Sequence, residues 1–107
     1  MSYEIENIVR LNDLFDLYQT LLTDKQQAYF TYYFREDYSL SEIAEIMKVS
    51  RNAVHLQIKK IASYLEDYEE KLLLLEKQNQ RIRLLDELSN AQNEDELIQG
   101  IEKIKKV

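Results

Sequence analysis

The amino-acid sequence predicts an all-α protein built on a helix-turn-helix, and three observations carry that expectation. The 107 residues contain no proline and one glycine, Gly100, whereas a sheet is folded back by tight turns that usually need those two residues. Apolar residues recur at three- and four-residue steps along most of the chain, the spacing of a buried helical stripe. Polar N-cap residues, three of them in capping boxes, stand where those stripes begin, as helix N-termini require.

The first helix is expected from about Tyr3 to Leu21, with Ile5, Ile8, Val9, Leu14, Phe15, Tyr18 and Leu21 on its apolar side. Thr23-Asp24-Lys25-Gln26 has the form of a capping box, in which the threonine oxygen accepts a backbone N–H and Gln26 reaches back. It opens a second helix from Asp24 to about Arg35. The middle of that helix, AYFTYYF, has high strand propensity, but the cap before it and the lack of a hairpin partner favour helix. Its tyrosines read as packing residues rather than as a stacking platform for bases.

Glu36-Asp37-Tyr38 is a polar break, and Ser39-Leu40-Ser41-Glu42 is a second capping box opening a short helix to about Met47. Lys48-Val49 makes a tight turn, and Ser50 caps the next helix at SRNAV. No proline, glycine or turn cluster follows before Ser89-Asn90. Either one long helix runs from Arg51 to about Leu88, or it bends once near Tyr64. Asn93-Glu94-Asp95-Glu96 opens a terminal helix with Leu97, Ile98, Ile101 and Ile104 on one face, weakened by Gly100. The domain reading that follows is a helical part, 1–64, holding the helix-turn-helix at 39–64. Residues 65–107 then form a dimerisation helix and terminal helix in the same structural unit.

The stretch LSEIAEIMKVSRNAVHLQI carries the functional signal. Ala44 sits where a small side chain lets two helices cross closely, and Ile43, Met47, Val49, Val54 and Ile58 lock the second onto the first. Gly is the usual residue where Lys48 stands, so Lys48 is expected in a strained left-handed conformation. At about 100° per residue, Ile58, Ile61 and Leu65 lie within about 40° of Val54. Asn52, His55, Leu56, Lys59 and Ser63 then point away.

Net charge is −6, so the whole chain is repelled by phosphate, but the distribution is uneven. Between Lys48 and Ile61 stand Lys48, Arg51, Lys59 and Lys60 with no acid, and the one histidine, His55, is there too. The candidate nucleic-acid residues are therefore Ser50, Arg51, Asn52, His55, Leu56, Lys59 and Lys60. The N-terminus opened by Ser50 aims N–H groups at phosphate; Asn52 can pair with an adenine edge and His55 can meet a base or phosphate. Arg51 and Lys59 would hold phosphates and set register. Leu56 fits a thymine methyl or a protein partner, and the same exposed face serves equally in protein-binding helix-turn-helix modules.

Ile58, Ile61, Leu65, Tyr68, Leu72, Leu75, Asn79 and Ile82 follow alternating three- and four-residue steps, an a/d seam with an amide that can fix register. Leu65, Tyr68, Leu72, Leu75, Asn79 and Ile82 are accordingly the candidate homodimer contacts, with intrachain packing as the alternative. Glu66, Asp67, Glu69 and Glu70 read as a solvated face. With no cysteine, no Gly-rich phosphate loop, no nucleophile elbow and no metal-ligand spacing, the expectation is a non-enzyme without cofactor or metal. The longest apolar run, Leu72–Leu75, is far short of a membrane span. MSYEIENIVR lacks the order of a signal peptide. A soluble, cytoplasmic protein is expected.

From about Leu11 to Glu76 the chain resembles the YlxM-type, or UPF0122, helix-turn-helix proteins. The resemblance rests on LLTDKQ, the Asp37-Tyr38-Ser39-Leu40 approach and the EIAE…VSR…AV core. It implies a fold like region 4 of sigma factors and a place in the signal recognition particle pathway, linked by gene neighbourhood to that particle's GTPase. Duplex DNA is then the expected partner, with the GTPase or RNA of the particle as the alternative. Arg51, Ala53, Val54, Ile58 and Lys59 match the family pattern; Asn52, His55, Leu56 and Gln57 depart from it.

Overall fold

The computed structural model describes residues 3–107. Among them are six α-helices and no strand: α1 Ile5–Tyr18, α2 Asp24–Phe30, α3 Leu40–Met47, α4 Arg51–Leu72, α5 Leu74–Leu88 and α6 Glu94–Lys105. A single 3₁₀ turn, Gln19–Leu21, extends α1, and a π-helical segment, Thr31–Arg35, extends α2. The all-α expectation holds, and with these extensions counted the two early helices end at Leu21 and Arg35, where the sequence places them.

The caps explain the starts. Thr23 Oγ1 accepts from Gln26 N–H at 3.1 Å and Gln26 Oε1 accepts from Thr23 N–H at 2.9 Å, so the box closes in both directions. Ser39 and Glu42 repeat it at 3.0 and 3.1 Å. Asn93 Oδ1 accepts from Glu96 N–H at 2.9 Å, while the Glu96 carboxylate accepts from Gln92 N–H rather than from the cap residue. Each such cap contributes about 1 kcal/mol.

The chain divides into two compact units, one ending at Leu72 and the other running from Leu73 to Val107. In the first, α4 is the axis against which α1, α2 and α3 pack. Leu11, Leu14, Phe15 and Tyr18 of α1, Tyr29 and Phe30 of α2, Ile43 and Ala44 of α3, and Val54, Ile58, Ile61 and Leu65 of α4 form its core. Burying each of the larger side chains contributes about 1.5–3 kcal/mol. Phe15 and Phe30 stack face to face with centroids 4.1 Å apart, and the Arg35 guanidinium lies 4.7 Å from the Phe15 centroid. Arg35 also pairs with Asp16 at 2.6 Å, tying the π-helical segment to α1.

The helix opened by Ser50 runs unbroken through Tyr64 and is interrupted at Leu73, whose φ of 56° and ψ of 31° are left-handed. The interruption therefore falls nine residues beyond the position where the sequence reading allowed a bend. The second unit is a helix pair, α5 and α6. A Cβ added at Gly100 would stand 2.5 Å from Leu88 Cδ1, so the residue expected only to weaken α6 also admits a close approach to α5.

Candidate nucleic-acid interface

The helix-turn-helix is α3, the turn Lys48–Val49–Ser50 and the first half of α4. Ile43 and Ala44 are buried on the inner face of α3, and Val54 and Ile58 are fully buried on α4, so the two helices are locked by the residues the spacing singled out. Lys48 takes φ 57° and ψ 47°, the strained left-handed C-cap expected of it. That conformation turns the chain so that Val49 N–H reaches Ala44 O at 3.1 Å. Ser50 Oγ then accepts from Ala53 N–H at 3.0 Å and starts α4.

Arg51, Asn52, Leu56, Lys59 and Lys60 are exposed, as is Ser50, while His55 is half-buried. Leu56 is 59% exposed. Among the described residues, none of Lys48, Arg51, Lys59 or Lys60 is in an ion pair. Elsewhere in the same unit the arginines are neutralised: Arg10 makes a bidentate pair with Glu66, two contacts of 2.8 Å, and Arg35 pairs with Asp16. The Glu66 contact holds the Arg10 guanidinium above its ordinary pKa. The cations of the helix-turn-helix thus differ from Arg10 and Arg35 in having no carboxylate partner among the described residues.

The seven candidate residues do not share one face. Leu56 and Asn52 lie opposite the buried stripe of Val54, Ile58, Ile61 and Leu65, whereas Lys59 and Lys60 fall about 130° from its centre on either side, Lys60 on the side of Ala53 and Gln57. This last side faces α2 across a cleft of about 280 Å³. Its lining also includes Lys25, Gln26 and Tyr29 of α2, and Val49 of the turn. Lys25 and Gln57 were missed because they flank the outward face rather than lie on it. The i, i+4, i+7 spacing of Ala53, Gln57 and Lys60 was the available signal.

The expected dimer contacts are placed unevenly. Leu65 and Leu75 are covered by their own chain and have no surface to offer a second copy. Tyr68 is partly buried, its ring 6.0 Å from that of Tyr18 and its hydroxyl donating to Leu21 O at 3.4 Å. Leu72, Asn79 and Ile82 are exposed. The interruption at Leu73 also cuts the a/d spacing in two, because Ile58, Ile61 and Leu65 are spent on the core of the first unit. Glu69, expected on a solvated face, is buried and accepts a hydrogen bond from Tyr18 Oη. The tyrosines of the α2 extension pack as expected, Tyr32 stacking on Tyr38 and Tyr33 meeting Phe34 edge to face.

Fold and turn geometry define a helix-turn-helix protein. Residues 5–107 match the family model described as "Putative helix-turn-helix protein, YlxM / p13 like". The chain is 47% identical over 107 residues to the UPF0122 protein YlxM of Bacillus subtilis, covering 94% of this chain and 97% of that one. It is 46% identical over 101 residues to a UPF0122 protein of Oceanobacillus iheyensis, covering 94% and 96%. A UPF0122 protein of Bacillus cereus is 47% identical over 108 residues, covering 94% and 98%. The chain belongs to the UPF0122 family. The match takes in the terminal helices, beyond the Glu76 limit of the motif resemblance. No helix among the described residues is long and apolar enough to cross a membrane.

Proposed function

We propose that this protein is a DNA-binding regulator of the cytoplasm that sets the N-terminal half of α4 into the major groove and works as a homodimer. The observation that carries the reading is the acid-free stretch from Lys48 to Ile61, whose four cations are exposed and, among the described residues, in no ion pair, while Arg10 and Arg35 are held by carboxylates. Arg51 and Lys59 position the backbone, Asn52 and Leu56 meet base edges, and Ser50 presents the helix N-terminus. The process regulated is protein targeting by the signal recognition particle, as the family resemblance implies. Fluorescence anisotropy with duplex DNA at low salt tests the reading. Wild type binds and loses affinity as salt rises, and Arg51→Ala/Lys59→Ala binds at least tenfold more weakly, the order expected for two phosphate contacts, about 0.9 of salt slope each. A wild type that binds no duplex, native promoter fragments included, overturns it.

Leu56 supports a second reading, a protein- or RNA-interaction module acting on the particle without DNA. An exposed leucine amid cations suits a partner's apolar pocket, and the net charge of −6 disfavours non-specific nucleic-acid binding. Pull-down against the particle's GTPase and its RNA, with Leu56→Ser as control, separates the two. Absence of enrichment over the control removes this alternative.

A further inference from the structure

We infer that the cleft between α2 and α4 is an anion site, and that its occupant is a phosphate of the nucleic-acid backbone running beside α4. Lys25, Gln26, Gln57 and Lys60 line it, and the Lys60 ammonium also lies 5.7 Å from the Tyr64 ring centroid. Lys25 and Lys60 are exposed and, among the described residues, in no ion pair. Gln26 spends its Oε1 on the Thr23 cap, which leaves its Nε2 amide to donate, and Gln57 adds a second amide from the opposite wall. No carboxylate lines the cleft, although the chain carries 20 acids. Two ammonium groups and two amides offer donors without a competing acceptor of like charge, the chemistry that suits a tetrahedral oxyanion rather than a cation or an apolar group.

The location favours a backbone phosphate over a free one. Val49, the residue before the Ser50 cap, lines the cleft together with Ala53, Gln57 and Lys60 of α4, so the cleft lies beside the helix that carries the candidate interface. A helix seated in the major groove has a phosphodiester strand along its flank, and contacts to that strand fix register without reading sequence. Lys60 then holds the strand on the α2 side while Lys59, about 100° away round the helix, holds phosphates on the other side. This assignment rests on the DNA-binding reading above, although the anion chemistry of the cleft does not.

Amide resonances of the full chain, followed by ¹H–¹⁵N NMR, test both. One arm adds a mixed-sequence DNA duplex; the other adds inorganic phosphate against chloride at matched ionic strength. The expected result is that duplex shifts Lys25, Gln57 and Lys60. Lys25→Ala/Lys60→Ala should make the salt dependence of duplex binding shallower by about 1.8 in logarithmic slope, at about 0.9 per phosphate contact, with base preference unchanged. Both side chains are exposed, so the variant keeps its fold, as its spectrum will report. Duplex binding with an unchanged slope in the variant overturns the cleft and leaves the regulator intact. Shifts with inorganic phosphate alone overturn the backbone assignment and the regulator together, and assign the cleft to a free phosphate. No shift in either arm overturns the cleft as an anion site.

Discussion

Tyr18 Oη donates a 2.6 Å hydrogen bond to Glu69 Oε1 inside the first unit, joining the last residue of α1 to the last turn of α4. Both side chains are buried, Tyr18 at 1% and Glu69 at 6% exposure. A carboxylate seldom lies this deep without strong donors. The Arg10–Glu66 pair lies one turn earlier on α4 and crosses between the same two helices. Two polar ties therefore stand on α1 either side of Leu11 and Leu14, and they fix how α1 lies along the helix that carries the candidate interface.

Tyr18→Phe removes that donor while keeping the ring, and is expected to cost about 1–3 kcal/mol, the penalty for withdrawing a partner from a buried polar acceptor. Urea unfolding checks it: the midpoint falls and the slope stays constant. A midpoint unchanged within error would mean that the bond contributes nothing net to stability.

Glu42 gives a pH-dependent test of the cap that starts α3. Hydrogen bonds from the Ser39 backbone and hydroxyl hold its carboxyl below its ordinary value of 4.5. A depressed folded-state pKa contributes stability that is present above the unfolded value and is lost as pH falls through the folded one. Glu42→Gln preserves a capping box that cannot ionise. The stability advantage of wild type over the variant should therefore shrink as pH is lowered from neutrality to below 4.5, and chemical unfolding at each pH reads it. An advantage that grows toward acid would contradict the assigned direction.

The positions just discussed differ in how legible they were. Thr23, Ser39, Ser50 and Asn93 were readable as caps because a cap is decided within four residues. The interruption at Leu73 was not, because Lys71-Leu72-Leu73-Leu74-Leu75 contains only good helix formers and a leucine at φ 56° opposes its own preference. Glu69 was assigned to solvent by its charge, yet it stands four residues after Leu65 and continues the stripe of Val54, Ile58, Ile61 and Leu65; spacing was the better guide. The dimer seam misled at Leu65 for a related reason. A three-and-four spacing records that a face is covered and does not record whether the cover is α1 or a second chain. The outward face of α4 was legible because Val54 fixed its phase. The cleft beside it was not, since Lys25 comes from a separate helix.

Lys48 is expected to be a site where stability can be raised. Its left-handed backbone at φ 57° costs a residue with a Cβ about 1–2 kcal/mol, and glycine is the usual occupant of such a C-cap. Lys48→Gly should raise the free energy of unfolding by about 1 kcal/mol, since relief of strain exceeds the added entropy of the unfolded chain. Lys48→Ala, which loses the charge but keeps the Cβ, should gain little. Thermal unfolding of the pair distinguishes backbone strain from charge. An equal gain in both would assign the effect to the lysine's charge instead.

The second unit bears on the proposed homodimer. None of the side chains of α6 is buried, and Leu75 alone is buried in α5. Ile82, Leu85, Leu97, Ile98 and Ile101 are between 40% and 52% exposed. Short helices are marginal in water without an apolar face that is covered, so this pair is the part of the chain with most to gain from a second copy. Light scattering on a size-exclusion column should give a dimer mass for wild type at micromolar concentration and a monomer mass for Leu85→Glu/Ile98→Glu. The circular dichroism of the first unit's helices should persist in the variant, because its core of Leu14, Phe30, Ile58 and Leu65 is untouched. A wild type that elutes as a monomer across that range would remove the homodimer from the proposed function while leaving α4 and its cations as they stand.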